Sequence, residues 1–178
     1  GEYFDVLPYA QAAGDYAMNF IKAEKMPRKL KIYFSNSPAN LPHATYRDLG
    51  FAARPDGKFD VYSAGGLGNN HRMGVLVAEA LPATDVLYAI RAMIDVFCAH
   101  GNYENRAKAR TRYLQETLGA DELRRVYLEA LEARKALLIE QRDQLAARMQ
   151  EMQASLDRLN LKIERYDQGL MTAEKRLQ

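Results

Sequence analysis

Residues 48–62 read DLGFAARPDGKFDVY, two short β-like runs on either side of a Pro-Asp-Gly turn. The first run is Asp48–Ala53 and the second is Phe59–Tyr62. Asp56-Gly57 between two such runs is a good hairpin signal, because glycine readily adopts the backbone conformation that a tight turn requires. The stretch therefore predicts two antiparallel strands joined by a short turn.

The sequence before this hairpin predicts a further strand and a helix. Lys29–Phe34 alternates polar and apolar residues, which is the period of a strand. Tyr9–Ile21 carries apolar residues at helical spacing, and Pro8 suits a first helical turn. We therefore expect an α+β fold, in which a small mixed or antiparallel sheet has flanking helices.

Three helices are predicted after the hairpin. The first is short, at Met73–Ala80. The second is Thr84–His100, with Thr84 as a plausible cap, and the third is Glu104–Leu118. Each of the last two is followed by a glycine, which is the usual residue at the end of a helix.

From Asp121 onward the chain carries a long helical pattern that only Gly169 interrupts. Apolar residues recur in two interleaved seven-residue series: Leu131, Leu138, Leu145, Met152, Leu159 and Tyr166, then Leu128, Met149, Leu156, Ile163 and Leu170, with Lys135 and Arg142 interrupting the second series. This seam predicts a coiled coil that joins two copies of the chain. The alternative is an antiparallel hairpin that folds back on its own domain. We expect two regions, residues 1–119 and 120–178.

Composition narrows the function classes. The chain has 178 residues with 25 Lys and Arg against 23 Asp and Glu, and this near-balance argues against a dedicated nucleic-acid binder. The single cysteine, Cys98, excludes an internal disulfide and a CxxC metal site, and we expect it to be a small buried hydrophobe. The three histidines lack metal-ligand spacing, so no metal site is predicted. No run is apolar enough to span a membrane and no signal-peptide pattern opens the chain, so we expect no membrane partner and a cytoplasmic location.

Two lysines near the start of the first predicted strand suggest an anion site. On a strand, Lys29 and Lys31 project from the same face, about 6–7 Å apart. Two ammonium groups on one face repel each other unless an anion lies between them. The alternative is an exposed edge strand that lysines protect from aggregation.

A glycine-rich loop follows the predicted hairpin. Its candidate ligand-binding residues are Gly65, Gly66, Gly68, Asn69 and Asn70. Glycines allow backbone amides to approach a ligand closely, and a helix N-terminus after the loop favours negative charge. The loop has neither GxGxxG nor GxxxxGK spacing, so a plain tight turn is the alternative.

A basic cluster lies at Gly101–Tyr113, where Arg106 and Arg110 are the candidates and Lys108 and Arg112 are displaced from their face. Arg106 and Arg110 are four residues apart and share a face if the segment is helical. Like charges at this spacing are unfavourable unless an anion neutralises them, and arginines bind carboxylates and phosphates in a bidentate manner. The alternative is a solvated helix face.

These three segments, in this order and spacing, resemble the siroheme-dependent sulfite and nitrite reductases. The matching text is MPRKLK at 26–31, DLGF at 48–51, FDVYSAGGLG at 59–68, LPATDVL at 81–87 and HGNYENR at 100–106. The resemblance covers the chain from Glu2 to Gly119.

The resemblance implies a siroheme-binding α+β domain from the first of the family's two homologous halves. It implies that Lys29 and Lys31 face the distal side of siroheme and help to bind and protonate the oxyanion substrate. Arg28, the glycine-rich loop and the Asn105, Arg106 and Arg110 cluster would lie near the macrocycle and its carboxylates. The implied substrate is sulfite or nitrite, which the chain does not distinguish.

The departures from the family pattern matter as much as the matches. The family's [4Fe-4S] cluster and the axial cysteine shared with siroheme come from cysteine motifs in the second half, and Cys98 matches neither motif. Active-site arginines expected upstream of the lysines are also absent. We therefore expect the chain to need the second half of the reductase as a partner. Alone, it should be inactive and should hold siroheme weakly or not at all.

The last part of the sequence suggests an alternative function. Residues 149–166 are similar to the dimerisation helix of MerR-type transcription regulators, although no DNA-reading helix-turn-helix is visible. The alternative function is a non-catalytic anion-sensing or regulatory module that dimerises through its coiled coil. A purely structural protein would leave the lysine pair and the arginine cluster unexplained.

Overall fold

The computed structural model describes residues 1–19, 23–68 and 70–177, without the side chains of Leu170 and residues 172–177. The last two residues of the helix predicted at Tyr9–Ile21, and the candidate ligand residue Asn69, lie outside the described residues. The chain divides into two compact units, Gly1–Lys135 and Ala136–Gln178. Among the described residues, no helix is both long and apolar enough to cross a membrane.

A four-stranded mixed sheet forms the centre of the first unit. Its strands, in order across the sheet, are β1 (Ile32–Ser35), β2 (Leu49–Ala53), β3 (Phe59–Ser63) and β4 (Val75–Leu81). Strand β1 runs parallel to β2, and the other two neighbouring pairs are antiparallel. The β2–β3 hairpin turns at Gly57, whose φ of 78° is the left-handed conformation that the sequence predicts there. The α+β fold with a small mixed sheet and flanking helices is confirmed.

The helices of the first unit share one hydrophobic core with the sheet. They are α1 (Leu7–Met18), α2 (Val86–His100), the single turn α3 (Leu114–Thr117) and the beginning of α4 (Ala120–Leu177). Aromatic rings join the strands, because Phe34 stacks on Phe51 with ring centroids 4.7 Å apart and Phe51 meets Phe59 edge-on at 5.9 Å.

The first turns of α4 belong to this core. Leu123, Tyr127 and Leu131 recur every four residues and are buried. The Tyr127 hydroxyl donates a hydrogen bond to the backbone oxygen of Ala89 over 2.8 Å, and burial raises the pKa of this phenol. The compact first unit therefore extends to Lys135, while the predicted division of the chain at residue 119 stays a prediction.

The segment predicted as a helix at Met73–Ala80 is strand β4, so that prediction is wrong. Val75 and Val77 are buried, and the segment pairs with β3 through a register shift. An apolar run of this length does not separate a helix from a strand by its period, and here pairing with a neighbouring strand decides the outcome.

The prediction of a helix at Glu104–Leu118 is also wrong. The segment contains two 3₁₀ turns, Arg106–Lys108 and Thr111–Tyr113, before the single turn α3. Asn102 Oδ1 accepts hydrogen bonds from the backbone N–H groups of Glu104 and Asn105, at 3.0 and 2.7 Å. Side-chain acceptors of this kind compete with helical hydrogen bonds, which explains why no regular helix forms.

Smaller differences concern the ends of elements. Strand β1 begins at Ile32, so Lys29 and Lys31 precede it. Helix α2 begins at Val86, and the Thr84 hydroxyl contacts the Asp85 carboxylate rather than capping the helix. Gly169 does not interrupt α4, while α2 ends before Gly101 as predicted.

The second unit is the remainder of α4. The predicted long C-terminal helix is confirmed, and its unbroken course excludes a hairpin within α4. The large apolar side chains of both seven-residue series are exposed here: Leu138, Leu145, Met149, Met152, Leu156, Leu159, Ile163 and Tyr166. Whether this seam pairs with a second copy stays a prediction.

The division of α4 between a packed and an exposed part can be tested with matched substitutions. Leu123→Ala should lower the free energy of unfolding by about 2–5 kcal/mol, because it leaves a cavity in the core. Leu161→Ala, at a 55% exposed leucine of the same helix, should change it by less than about 0.5 kcal/mol. Denaturant unfolding followed by tyrosine near-ultraviolet circular dichroism measures both. Equal effects would contradict the packing of residues 120–135 on the core.

Candidate anion site

The buried carboxylate of Asp48 joins three segments of the chain. Asp48 is 1% exposed. Its Oδ2 accepts hydrogen bonds from Nη2 of Arg110 at 2.7 Å and from the backbone N–H of Lys31 at 3.0 Å, and its Oδ1 accepts one from the Thr111 hydroxyl. A buried carboxylate is tolerated when it is paired and hydrogen-bonded in this way. The segments before β1, before β2 and before α3 therefore meet at one point.

A cavity of about 310 Å³ lies at this meeting point. Its lining contains four cationic side chains, one carboxylate and part of the glycine-rich loop: Lys31, Arg47, Arg110, Arg112, Asp48, Tyr46, Gly65, Gly66, Leu67 and Gly68. The excess of positive charge in a concave site favours a negatively charged ligand.

Arg47 lines the cavity, and none of its described contacts is with a carboxylate. Its Nε and Nη2 donate hydrogen bonds to the backbone oxygen of Pro42, at 3.1 and 2.8 Å. Its guanidinium carbon lies 3.9 Å from the centroid of the Tyr33 ring. A carbonyl and a ring face fix the position of this guanidinium group but do not neutralise its charge.

Arg110 and Arg112 each leave a hydrogen-bond donor unused. The Nε atoms of both are buried and have no hydrogen-bond partner within the described part of the chain. An unsatisfied buried donor costs about 1–3 kcal/mol. Both residues line the cavity, and arginine side chains bind oxyanions and carboxylates well.

The glycine-rich loop passes close to the basic residues and the backbone beside them. A Cβ atom on Gly65 would lie 2.8 Å from the carbonyl carbon of Tyr46 and 2.9 Å from the backbone oxygen of Arg47. A Cβ atom on Gly66 or Gly68 would lie 3.2 Å from the Arg112 side chain. The absence of side chains at these positions allows the loop to pack against the cavity.

Gln115 holds the loop at both ends. Its Nε2 donates hydrogen bonds to the backbone oxygens of Ala64 and Met73, both at 2.8 Å. Ala64 has a φ of 61°, a conformation that is uncommon for residues other than glycine. Strained residues of this kind persist where the surrounding structure determines them, and they cluster at functional sites.

Five of the predicted site residues come together in this cavity. They are Lys31, Gly65, Gly66, Gly68 and Arg110. Arg110 reaches the cavity from an extended backbone next to a 3₁₀ turn, and not from a helix face shared with Arg106. The predicted helical arginine pair is therefore wrong, although one of its members lies in the site.

The other predicted residues within the described part of the chain do not line this cavity. Lys29, Asn70 and Arg106 are exposed. Asn105 caps a 3₁₀ turn, where its side chain accepts a hydrogen bond from the backbone N–H of Ala107. Arg28 is half-buried, and its Nη1 has no hydrogen-bond partner among the described residues.

Several residues of the site were not among the sequence-based candidates. They are Tyr46, Arg47, Asp48, Thr111, Arg112 and Gln115. One signal was available, since Asp48 is a charged residue directly before the apolar run of β2. Such a residue needs a partner when the strand is buried. The identity of that partner, 62 residues away in the sequence, depends on the tertiary fold.

The described residues contain no group of three or more His, Cys, Asp or Glu that could hold a metal ion. Cys98 is half-buried in α2, and burial raises the pKa of its thiol. Metal ligation requires the thiolate, which a raised pKa disfavours.

The architecture and the site together define an α+β domain with a cavity lined by four cationic residues. The family model described as the nitrite and sulphite reductase 4Fe-4S domain matches residues 1–135. The chain belongs to this family.

A solved structure shares the fold. The structure of the Mycobacterium tuberculosis NirA protein matches with a TM-score of 0.57 and 24% identity, over 74% of this chain. The chain spans 24% of the length of that NirA chain.

The packing of the glycine-rich loop can be tested with two alanine substitutions. Gly65→Ala should lower the free energy of unfolding by about 1–3 kcal/mol, because its Cβ atom would press on the backbone of residues 46–47. Gly14→Ala is the control, since open space surrounds a Cβ atom there, and it should be neutral or stabilise α1 by up to about 1 kcal/mol. Denaturant titration measures both. Identical results for the two variants would contradict the close approach of the loop.

Proposed function

We propose that residues 1–135 form part of the wall of a siroheme-dependent nitrite or sulfite reductase site. The cavity beside Asp48 would take an oxyanion group, either the substrate or a carboxylate of siroheme. The observation that carries this proposal is the lining of four cationic side chains and one carboxylate in about 310 Å³. Membership of the nitrite and sulphite reductase family supports it.

The cavity residues fit the anionic part of siroheme. Arg110 and Arg112 have buried donors without partners, and arginine forms bidentate hydrogen bonds with carboxylates. A cavity of about 310 Å³ suits a small oxyanion or the carboxylate-bearing edge of a macrocycle rather than a whole macrocycle. We propose that Arg47, Arg110 and Arg112 hold that edge. When bound, siroheme would supply the redox chemistry, and the cavity residues would bind and orient the anion.

The iron–sulfur cluster does not fit this chain. Its ligands are cysteine thiolates, and the sequence has only Cys98, which lies in α2 with a raised pKa. We propose that the cluster and the rest of the cavity come from a further part of a complete reductase. The isolated chain would then be inactive.

The two lysines have different surroundings in the proposed site. Lys31 lines the cavity, and hydrogen bonds from its backbone N–H to Asp48 and from Leu49 to its backbone oxygen hold its main chain. We propose that its ammonium group binds the substrate oxyanion and can donate a proton to it. Both lysines are exposed, and Lys29, which does not line the cavity, would join Lys31 only where the rest of the reductase closes over it. Arg28, Asn69, Asn70, Asn105 and Arg106 remain proposed macrocycle contacts on the same condition.

A second candidate function is an anion-sensing module that dimerises through α4. The exposed apolar seam of the second unit favours it. The two functions differ in their requirement for cofactor, since a sensor would bind an oxyanion without siroheme and without a second reductase half.

The role of Lys31 can be tested in the isolated chain. Sulfite and nitrite should bind, and Lys31→Ala should weaken binding by roughly tenfold to a hundredfold, because a charge-assisted hydrogen bond contributes about 1.5–3 kcal/mol. Isothermal titration calorimetry at constant ionic strength measures the dissociation constants.

The control is Lys58→Ala, at an exposed lysine in the β2–β3 hairpin. This variant removes the same charge away from the cavity and should bind within about twofold of the unaltered chain. Equal weakening by the two substitutions would indicate that only net charge matters. No binding of either anion to the unaltered chain would contradict the proposed role of the cavity.

A further inference from the structure

The second unit exposes an apolar stripe that is interrupted by one charged residue. Eight large apolar side chains between Leu138 and Tyr166 occupy the two inward-facing positions of a seven-residue repeat, called a and d. The stripe runs for four repeats, roughly 42 Å of helix. A stripe of this length on a helix is typical of a surface that pairs with another helix.

The charged residues beside the stripe have opposite signs on its two sides. On one side, at the g positions, the charged residues are basic: Arg148 and Lys162. On the other side, at the e positions, Asp167 is acidic. In a parallel pair, g positions face e positions of the partner helix, so Lys162 of one copy meets Asp167 of the other. In an antiparallel pair, g faces g and e faces e, which brings basic side chains together.

One a position, Arg142, is charged. A single charged residue in a seam costs stability, and it also fixes the register, because any shift of one repeat would bury the charge against an apolar layer. A pair of helices allows two such side chains to reach solvent more readily than a larger bundle does. The two Arg142 side chains, one from each copy, therefore favour a pair of helices aligned in register.

We propose that the partner of this stripe is a second copy of the chain, paired through residues 138–166 as a parallel, in-register two-stranded coiled coil. The stripe is self-complementary in this arrangement, since each apolar layer meets the same layer of the other copy. One ion pair supports this partner, because Lys162 meets Asp167, one residue beyond the stripe, only when two copies pair in parallel. The proposal is independent of what the anion cavity binds.

The pairing is tested by one substitution on the stripe and the same substitution off it. Leu159 lies in a d position and is 58% exposed, while Leu161 lies on the opposite face and is 55% exposed. The 178-residue chain should be a dimer by sedimentation equilibrium. Leu159→Glu should raise the dissociation constant by at least about a hundredfold, because each copy would bury a charge in the seam. Leu161→Glu should remain a dimer.

Each result decides the proposal. A monomeric unaltered chain, a trimer or larger assembly, or a dimer that survives Leu159→Glu would overturn it. Circular dichroism of the tyrosines monitors the first unit in each variant, and neither substituted residue lies in that unit. Dissociation of Leu159→Glu with an intact first unit is the expected result.

The orientation is tested by disulfide formation. Tyr166→Cys in a Cys98→Ser background puts a thiol at a d position near one end of the stripe. In a parallel pair, the two thiols face each other and mild oxidation should join the copies. Glu164→Cys, off the stripe, is the control and should not crosslink. Absence of a disulfide in the Tyr166→Cys dimer would overturn the parallel arrangement, because an antiparallel pair would separate the two thiols.

Discussion

The carboxylate of Asp48 lies directly before β2 and is almost fully buried. It accepts hydrogen bonds from the guanidinium group of Arg110, the hydroxyl of Thr111 and the backbone N–H of Lys31. Removing one partner from a buried pair of this kind typically costs about 3–5 kcal/mol, because it leaves a buried charge uncompensated. The chain before β1 and the irregular segment before α3 therefore depend on this carboxylate for their positions. These two segments, with the glycine-rich loop, form the anion cavity.

The lining of the cavity has more positive than negative charges. Asp48 neutralises one cation of its lining, and the other three have no carboxylate partner among the described residues. Like charges that lie close together repel each other, so an anion bound among them would stabilise this lining. The glycine-rich loop closes against this charge, and Gln115 holds it there. One carboxylate thus fixes the positions of these segments, and three cationic residues of the lining stay without a carboxylate partner among the described residues.

Sequence reasoning was reliable where local chemistry decides structure. The Asp-Gly hairpin, the end of α2 before Gly101 and the long helix α4 follow from turn residues and apolar period, and all three are present. It was wrong at Met73–Ala80, where pairing with β3 overrides an ambiguous apolar run. Lys31 and Arg110 were identified as site residues from the sequence. Arg110 reaches the cavity, however, because it pairs with the buried carboxylate of Asp48, which is far away in the sequence. Long-range pairs of that kind cannot be predicted from a single sequence.

An oxyanion that binds in the cavity should lie beside Arg110 and Arg112, which line it. Nuclear magnetic resonance of the arginine Nε–H groups during a sulfite titration tests this central claim most directly. The Nε–H signals of these two residues should shift and saturate, while that of Arg54, whose guanidinium is paired with Asp60, should not. Chloride at the same ionic strength should leave all three signals unchanged. Signals of Arg110 and Arg112 that stay fixed, or that move equally with chloride, would contradict the account.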